Sequence, residues 1–109
     1  MADTWVTNMT HFLDEAGRLA DMPAPARNLA NFLGGIVMSV TSQGSGAVLS
    51  SKVKCRRRPG RKPCPGEIMA VLEVSSKEIV WQCPICGDNG VIHRWGDTLW
   101  DCSGRDQLH

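Results

Sequence analysis

The spacing of apolar residues predicts two helices in the N-terminal part of the chain. Within residues 9–20 apolar positions recur three and four apart, which is typical of a short amphipathic helix. These positions are Phe12, Leu13, Ala16, Leu19 and Ala20. Pro23 and Pro25 end this helix, and Pro25 suits the first turn of a second one, where a missing amide costs no hydrogen bond. The stripe of the second helix comprises Leu29, Phe32, Leu33, Ile36, Val37 and Val40.

From Glu67 onward the apolar period changes to two, which predicts strands. The alternating residues are Ile68, Ala70, Leu72 and Val74 in the first strand, Ile79 and Trp81 in the second, and Val91, His93 and Trp95 in the third. Turn-forming residues at 75–77 and 88–90 separate them, so we expect antiparallel pairing. Residues 98–100 are expected to add a short fourth strand. Residues 1–8 carry no periodic signal and are expected to be loose.

The second and third strands are joined by Cys83-Pro84-Ile85-Cys86-Gly87, a pair of thiols on a tight reversal. Such a pair is typical of a zinc site, and glycine after it can take the positive φ that the turn needs. The predicted ligands are Cys55, Cys64, Cys83 and Cys86. The gap of eight residues between Cys55 and Cys64 is unusually long. Pro59-Gly60 lies within this gap and can form a turn that brings the two cysteines together. Four thiolates leave no open position on the metal, so we interpret the site as structural Zn²⁺.

Other ligand sets and other chemistries are also compatible with these residues. Cys102 or His93 can replace Cys55 as the fourth ligand, and a Cys₄ site can hold iron instead of zinc. A thioredoxin-like redox pair is disfavoured because turn residues, not a helix, follow Cys86. The sequence contains no Ser-His-Asp, paired-carboxylate, HExxH or phosphate-loop pattern, so we predict that the protein is not an enzyme.

The predicted fold class is α+β, an N-terminal helical hairpin followed by a small three- to four-stranded antiparallel sheet of the zinc-ribbon type. The predicted units are a helical segment at 1–42, a flexible Ser- and Gly-rich linker at 43–51, a zinc-ribbon-like domain at 52–102 and a tail at 103–109. A unit as small as the ribbon usually needs a metal or disulfides to be stable. No signal-peptide pattern or membrane-length apolar run is present, so we expect a cytoplasmic protein without membrane contact.

Positive charge is concentrated in one segment although the net charge is only +1. The segment holds Lys52, Lys54, Arg56, Arg57, Arg58, Arg61 and Lys62. Cations beside thiols lower the thiol pKa and favour metal binding, and this role alone can account for them. They can also bind phosphates, which predicts a nucleic-acid interface with Trp95 or Trp100 stacking on bases.

Small residues on the second helix support a different function. Ala26, Ala30 and Gly34 lie four apart, a spacing that lets another helix approach closely. This face favours a protein-interaction module in which the helices dimerise or dock on a partner and the ribbon is a scaffold. The apolar stripe of the same helix is more simply explained as ordinary core.

Two segments together resemble a family of small bacterial zinc-ribbon-like proteins of uncharacterised function. They are CRRRPGRKPCPG and WQCPICGDNGVIHRWGDTLWD, and the resemblance covers residues 53–101. It implies Cys55, Cys64, Cys83 and Cys86 as ligands, and Cys102 falls outside the pattern. Zinc ribbons commonly bind nucleic acid or protein partners, and the resemblance implies no specific activity or substrate.

Overall fold

The fold is one mixed β-sheet covered on one face by a helix. The computed structural model describes residues 4–42, 47–48, 51, 53–57, 59–73 and 75–102. Its elements are β1 (Thr4–Asn8), α1 (Ala24–Ser42), β2 (Ala47–Val48), β3 (Met69–Glu73), β4 (Glu78–Gln82) and β5 (Asn89–His93), with short 3₁₀ turns at Met9–Phe12 and Pro59–Arg61. The strand order is β1-β5-β4-β3-β2; β1 runs parallel to β5, and the other pairs are antiparallel.

The predicted N-terminal helical hairpin is wrong, because residues 9–20 do not form an α-helix. After the 3₁₀ turn the chain doubles back in a loop closed by a bridge between Leu13 and Leu19. The Asp14 carboxylate accepts hydrogen bonds from the amides of Ala16 and Arg18, and Gly17 takes a φ of +79°. An aspartate that binds nearby amides in this way competes with helical hydrogen bonds. The segment therefore forms a loop instead of a helix, despite the helical spacing of its apolar residues.

The sheet is also not purely antiparallel, because the segment expected to be loose forms an edge strand. In β1, Thr4 pairs with Asn89 and Asn8 with His93, in parallel with β5. Strands therefore lie on both sides of α1 along the sequence, and the prediction of helices followed by a separate sheet is corrected. No local pattern indicates this pairing, since a parallel partner is distant in the sequence.

The second predicted helix is confirmed, and the three alternating segments form β3, β4 and β5, although Trp95 follows β5 and Val74 lies outside the described residues. Helix α1 begins at Ala24, one residue before Pro25, and buries Leu33, Ile36, Val37 and Val40. These helix residues share one core with Ile68, just before β3, and with Ala70, Ile79, Trp81 and Ile92 of the sheet. No helix in the described part of the chain combines the length and apolar character needed to cross a membrane.

The region after β5 is a turn instead of the predicted fourth strand. The amide of Thr98 donates to the carbonyl of Trp95, and the amide of Asp101 donates to the carbonyl of Thr98. Of the predicted linker, Ala47–Val48 forms β2 against β3, whereas residues 43–46 and 49–50 and the 103–109 tail lie outside the described residues. The division into units thus stays a prediction.

The small-residue face of α1 packs inside the chain. Ala30 is fully buried, and a Cβ on Gly34 would overlap the indole of Trp100. The amide of Cys102 donates to Thr41 Oγ1 at 2.9 Å, which holds this C-terminal segment on the helix. A homodimer through α1 would therefore have to use other, exposed positions.

Candidate metal centre

One half of the centre is the turn between β4 and β5. Cys83 directly follows β4, and its amide donates to the carbonyl of Asp88 at 2.7 Å. Gly87 adopts a φ of +83° and donates its amide to the carbonyl of Cys83 at 3.0 Å. These two bonds close a tight reversal, which places Cys86 beside Cys83.

The other half is the loop that carries Cys55 and Cys64. The amide of Cys55 donates to the carbonyl of Gly66 at 2.9 Å, and the amide of Cys64 donates to the carbonyl of Arg57 at 2.9 Å. Between them the 3₁₀ turn at Pro59–Arg61 reverses the chain, with Gly60 at a φ of +63°. The long gap between the two cysteines is therefore folded into a compact loop.

The four cysteine sulfurs form one cluster. All four Sγ atoms lie within 4.8 Å of one another, with 3.6 Å between Cys55 and Cys86 and 3.6 Å between Cys64 and Cys83. Sulfurs at about 2.3 Å from a tetrahedral ion stand about 3.8 Å apart, whereas a disulfide requires about 2 Å. The cysteines are free thiols, and this group could hold a metal ion.

Gly66 leaves the space that the cluster occupies. A Cβ at this position would lie 2.5 Å from the Cys83 sulfur and 3.0 Å from Cγ1 of Ile85. The Gly66 amide also donates to the sulfur of Cys64 at 3.5 Å. Glycine thus packs its backbone directly against two of the predicted ligands.

Backbone amides make the sulfurs unequal as acids. Burial raises the pKa of the Cys55 thiol to about 12, against a smaller lowering by the Arg57 amide. Burial also opposes ionisation of Cys83, but the amides of Cys86 and Ile85, together with the thiols of Cys64 and Cys86, outweigh it and lower the pKa to about 7. For Cys64 the Gly66 amide lowers the pKa, while burial and the Cys83 thiol raise it overall. Amides that donate to sulfur favour the thiolate, which is the form that binds metal.

The alternative ligands lie outside this cluster. Cys102 Sγ lies 3.7 Å from the carbonyl oxygen of Trp100, next to α1. His93 Nδ1 is 3.0 Å from Oε2 of Glu78, across β4 and β5. The group of four sulfurs therefore contains Cys55 and neither of its competitors.

The basic segment is divided among several environments. Lys54 pairs with Glu67 at 3.3 Å, and the Arg56 guanidinium lies over the Phe32 ring at 5.8 Å from its centroid. Arg57, Arg61 and Lys62 are exposed. Lys52 and Arg58 are outside the described residues. The cationic surface carried by described residues is accordingly smaller than the sequence suggests.

The expected stacking residues are buried, and a different tryptophan is exposed. Trp95 and Trp100 are only 9% and 4% exposed, whereas Trp5 on β1 is 51% exposed. The Trp5 indole Nε1 donates to Oδ1 of Asp88 at 3.2 Å, and Asp88 is 4% exposed. Sequence reasoning missed Trp5, because only the parallel pairing of β1 and β5 brings it to the metal loop.

A cleft of about 580 Å³ lies next to the metal centre. Its walls come from β1, α1, β4 and the cysteine loops, and include Trp5, Leu29, Phe32, Arg56, Trp81 and Asp88. Cys86 also lines it. No protein-family model matches this chain, and no curated protein or solved structure is significantly similar to it.

Proposed function

We propose that this protein binds one structural Zn²⁺ through Cys55, Cys64, Cys83 and Cys86. The proposal depends mainly on the convergence of four sulfurs from two loops to within 4.8 Å. Four soft thiolates in a tetrahedral arrangement suit zinc, and they suit iron in a similar geometry. Because four protein ligands leave no position for substrate or water, we propose a non-catalytic role.

Metal analysis tests this proposal directly. Protein purified under reducing conditions should contain one zinc per chain and little iron, and the Cys83→Ser variant should contain much less. Cys102→Ser is the matched control, because Cys102 lies outside the cluster and should leave the zinc content unchanged. Iron in place of zinc would change the assigned metal, and metal-free reduced protein would contradict the site.

For the biological role, we propose that the surface beside the metal centre binds nucleic acid. The support is that the exposed Arg56 and Arg57 line the same cleft as the exposed Trp5, and that Lys62 is exposed on the same loop as the two arginines. Cations bind phosphates and exposed aromatic rings stack on bases, so the two together suit a single strand. Lys52, Lys54, Arg58 and Arg61 belong to the same proposed basic segment.

Salt-dependent binding tests this role. A variant with Arg56, Arg57 and Lys62 changed to Gln should bind a labelled oligonucleotide more weakly and with a shallower dependence on salt. A control variant with Arg18, Arg27 and Arg94 changed to Gln loses the same charge elsewhere and should bind like the wild type. If both variants lose the same affinity for the oligonucleotide, binding depends only on net charge, and a localised interface is contradicted.

The alternative proposal is a protein-interaction module, in which the helical part docks on a partner and the metal domain is a scaffold. Exposed apolar residues support it, including Met38 on α1 and Val6, Val71 and Val80 on the strands. Sedimentation analysis separates the proposals, because a dimer that persists at high salt favours interaction through these apolar groups.

A further inference from the structure

Trp5 is exposed and yet fixed in position. Its indole N–H is held by the buried Asp88 carboxylate at 3.2 Å, and its backbone lies in β1, paired to Gly90 of β5. An exposed tryptophan without such anchors would sample several rotamers and lose entropy on binding. The anchored ring is already ordered, so it presents a flat apolar surface at low entropic cost.

The cleft beside Trp5 has further aromatic walls and polar groups. Phe32 and Trp81 contact each other edge to face, with centroids 5.5 Å apart, and both line the cleft. Thr7, Arg56 and Arg57 supply polar groups to the same lining. A cleft of this size, with three aromatic side chains and a few polar groups in its lining, suits a flat heteroaromatic group.

The charges in the cleft favour a neutral ring over an anion. Arg56 and Arg57 line it together with the Asp88 carboxylate and Cys86, and four thiolates around one Zn²⁺ in the proposed metal site would add a net charge of about −2. Lys62 is exposed on the same loop but is not part of the lining. A phosphate is therefore better accommodated outside the cleft, and a neutral base inside it.

We propose that this cleft receives one unpaired nucleobase of a single-stranded nucleic acid, stacked on the Trp5 indole, while the adjoining phosphates contact Lys62 and the exposed guanidinium groups of Arg56 and Arg57. The inference rests on the proposed nucleic-acid binding and adds a defined base site to it. A base in a duplex is already stacked on its neighbours, so the site selects single strands.

Anisotropy titration of zinc-loaded, full-length protein with a labelled oligothymidylate tests the site. Trp5→Ala should weaken binding by about 5- to 100-fold, the range for one base–aromatic stack, and should leave the salt slope unchanged. Trp5→Phe retains a ring and should recover part of the affinity. Val6→Ala is the matched control, because Val6 is the adjacent exposed residue of the same strand and does not line the cleft.

A second variant tests the cleft without touching Trp5. Leu29→Trp places a larger side chain in the wall and should weaken binding similarly, while zinc content and thermal melting verify the fold. In NMR spectra, the Trp5 indole signal should shift on adding the strand, and the buried Trp95 signal should not. Affinities of Trp5→Ala and Leu29→Trp equal to that of Val6→Ala would refute the base site.

The outcomes separate this inference from the function on which it rests. If the triple Arg56, Arg57 and Lys62 variant loses binding but Trp5→Ala does not, nucleic-acid binding stands and the base site is wrong. If wild-type protein binds neither single-stranded nor double-stranded oligonucleotide at low salt, both are wrong. Equal affinity for duplex and single strand would also refute the base site.

Discussion

The backbone of Gly66 packs directly against the sulfur of Cys83, with room for a hydrogen and not for a methyl group. The Gly66→Ala variant would place Cβ 2.5 Å from that sulfur, so the loop carrying Cys64 has to shift. We expect metal affinity to fall about 10- to 100-fold, as it does when groups next to metal ligands are changed. Competition with a zinc chelator measures this. Gly96→Ala is the control, because no atom lies within 4 Å of its added Cβ.

Removal of the metal should disrupt tertiary packing before secondary structure. Without an ion, four thiols lie together, three of them buried, and the two cysteine loops lose the ion that would join them. Chelation, or Cys83→Ser, should therefore reduce the near-UV circular dichroism of Trp81 and retain part of the far-UV signal of α1. Cys102→Ser should keep both signals. Chelation that leaves the near-UV spectrum unchanged would show that the ion is not structural.

Replacement of Gly34 should destabilise the protein although alanine is the better helix former. The added Cβ would overlap the Trp100 indole, and overpacking of a core typically costs about 1–3 kcal/mol. Urea unfolding measures the loss. Gly35→Ala is the matched control: its Cβ meets only Val53 Cγ2, at 3.3 Å, and it gains roughly 1 kcal/mol of helix propensity. A Gly34→Ala variant as stable as Gly35→Ala would contradict this packing.

The Asp88 side chain should control the order of Trp5. Asp88→Ala removes the acceptor of the indole N–H, so the Trp5 ring should become mobile and its NMR signal should move toward that of free indole. Asp88→Asn keeps an oxygen acceptor and should retain most of the order. Zinc content should be equal in both variants, because the carboxylate is not a ligand in the proposed site. Loss of zinc in Asp88→Ala would mean that the residue acts through the metal loop.

The elements that depend on local pattern could be predicted from the sequence. The stripe from Leu29 to Val40 is helical because each apolar residue lies within one turn of the next, and β3, β4 and β5 alternate for an equally local reason. Residues 9–20 have helical spacing too, but the hydrogen bonds of Asp14 and the positive φ of Gly17 override it.

The cysteine cluster could be predicted because ligand chemistry restricts which residues can meet. The surroundings of the cluster could not. Arg56 lies over Phe32, and Trp5 reaches Asp88, only because distant segments fold together. Burial of Trp95 and Trp100 likewise depends on contacts that have no signal near them in the sequence, such as the bond from Trp95 Nε1 to the carbonyl of Lys77.

The parallel pairing of β1 with β5 sets an order of events during folding. Thr4 and Asn89, which are paired in register, are 85 residues apart, so a nascent chain cannot complete this edge until β5 has left the ribosome. The β3–β4–β5 meander needs only neighbouring segments and can form earlier. Until β1 docks on β5, the edge of β5 is exposed. In that interval it can pair with another chain.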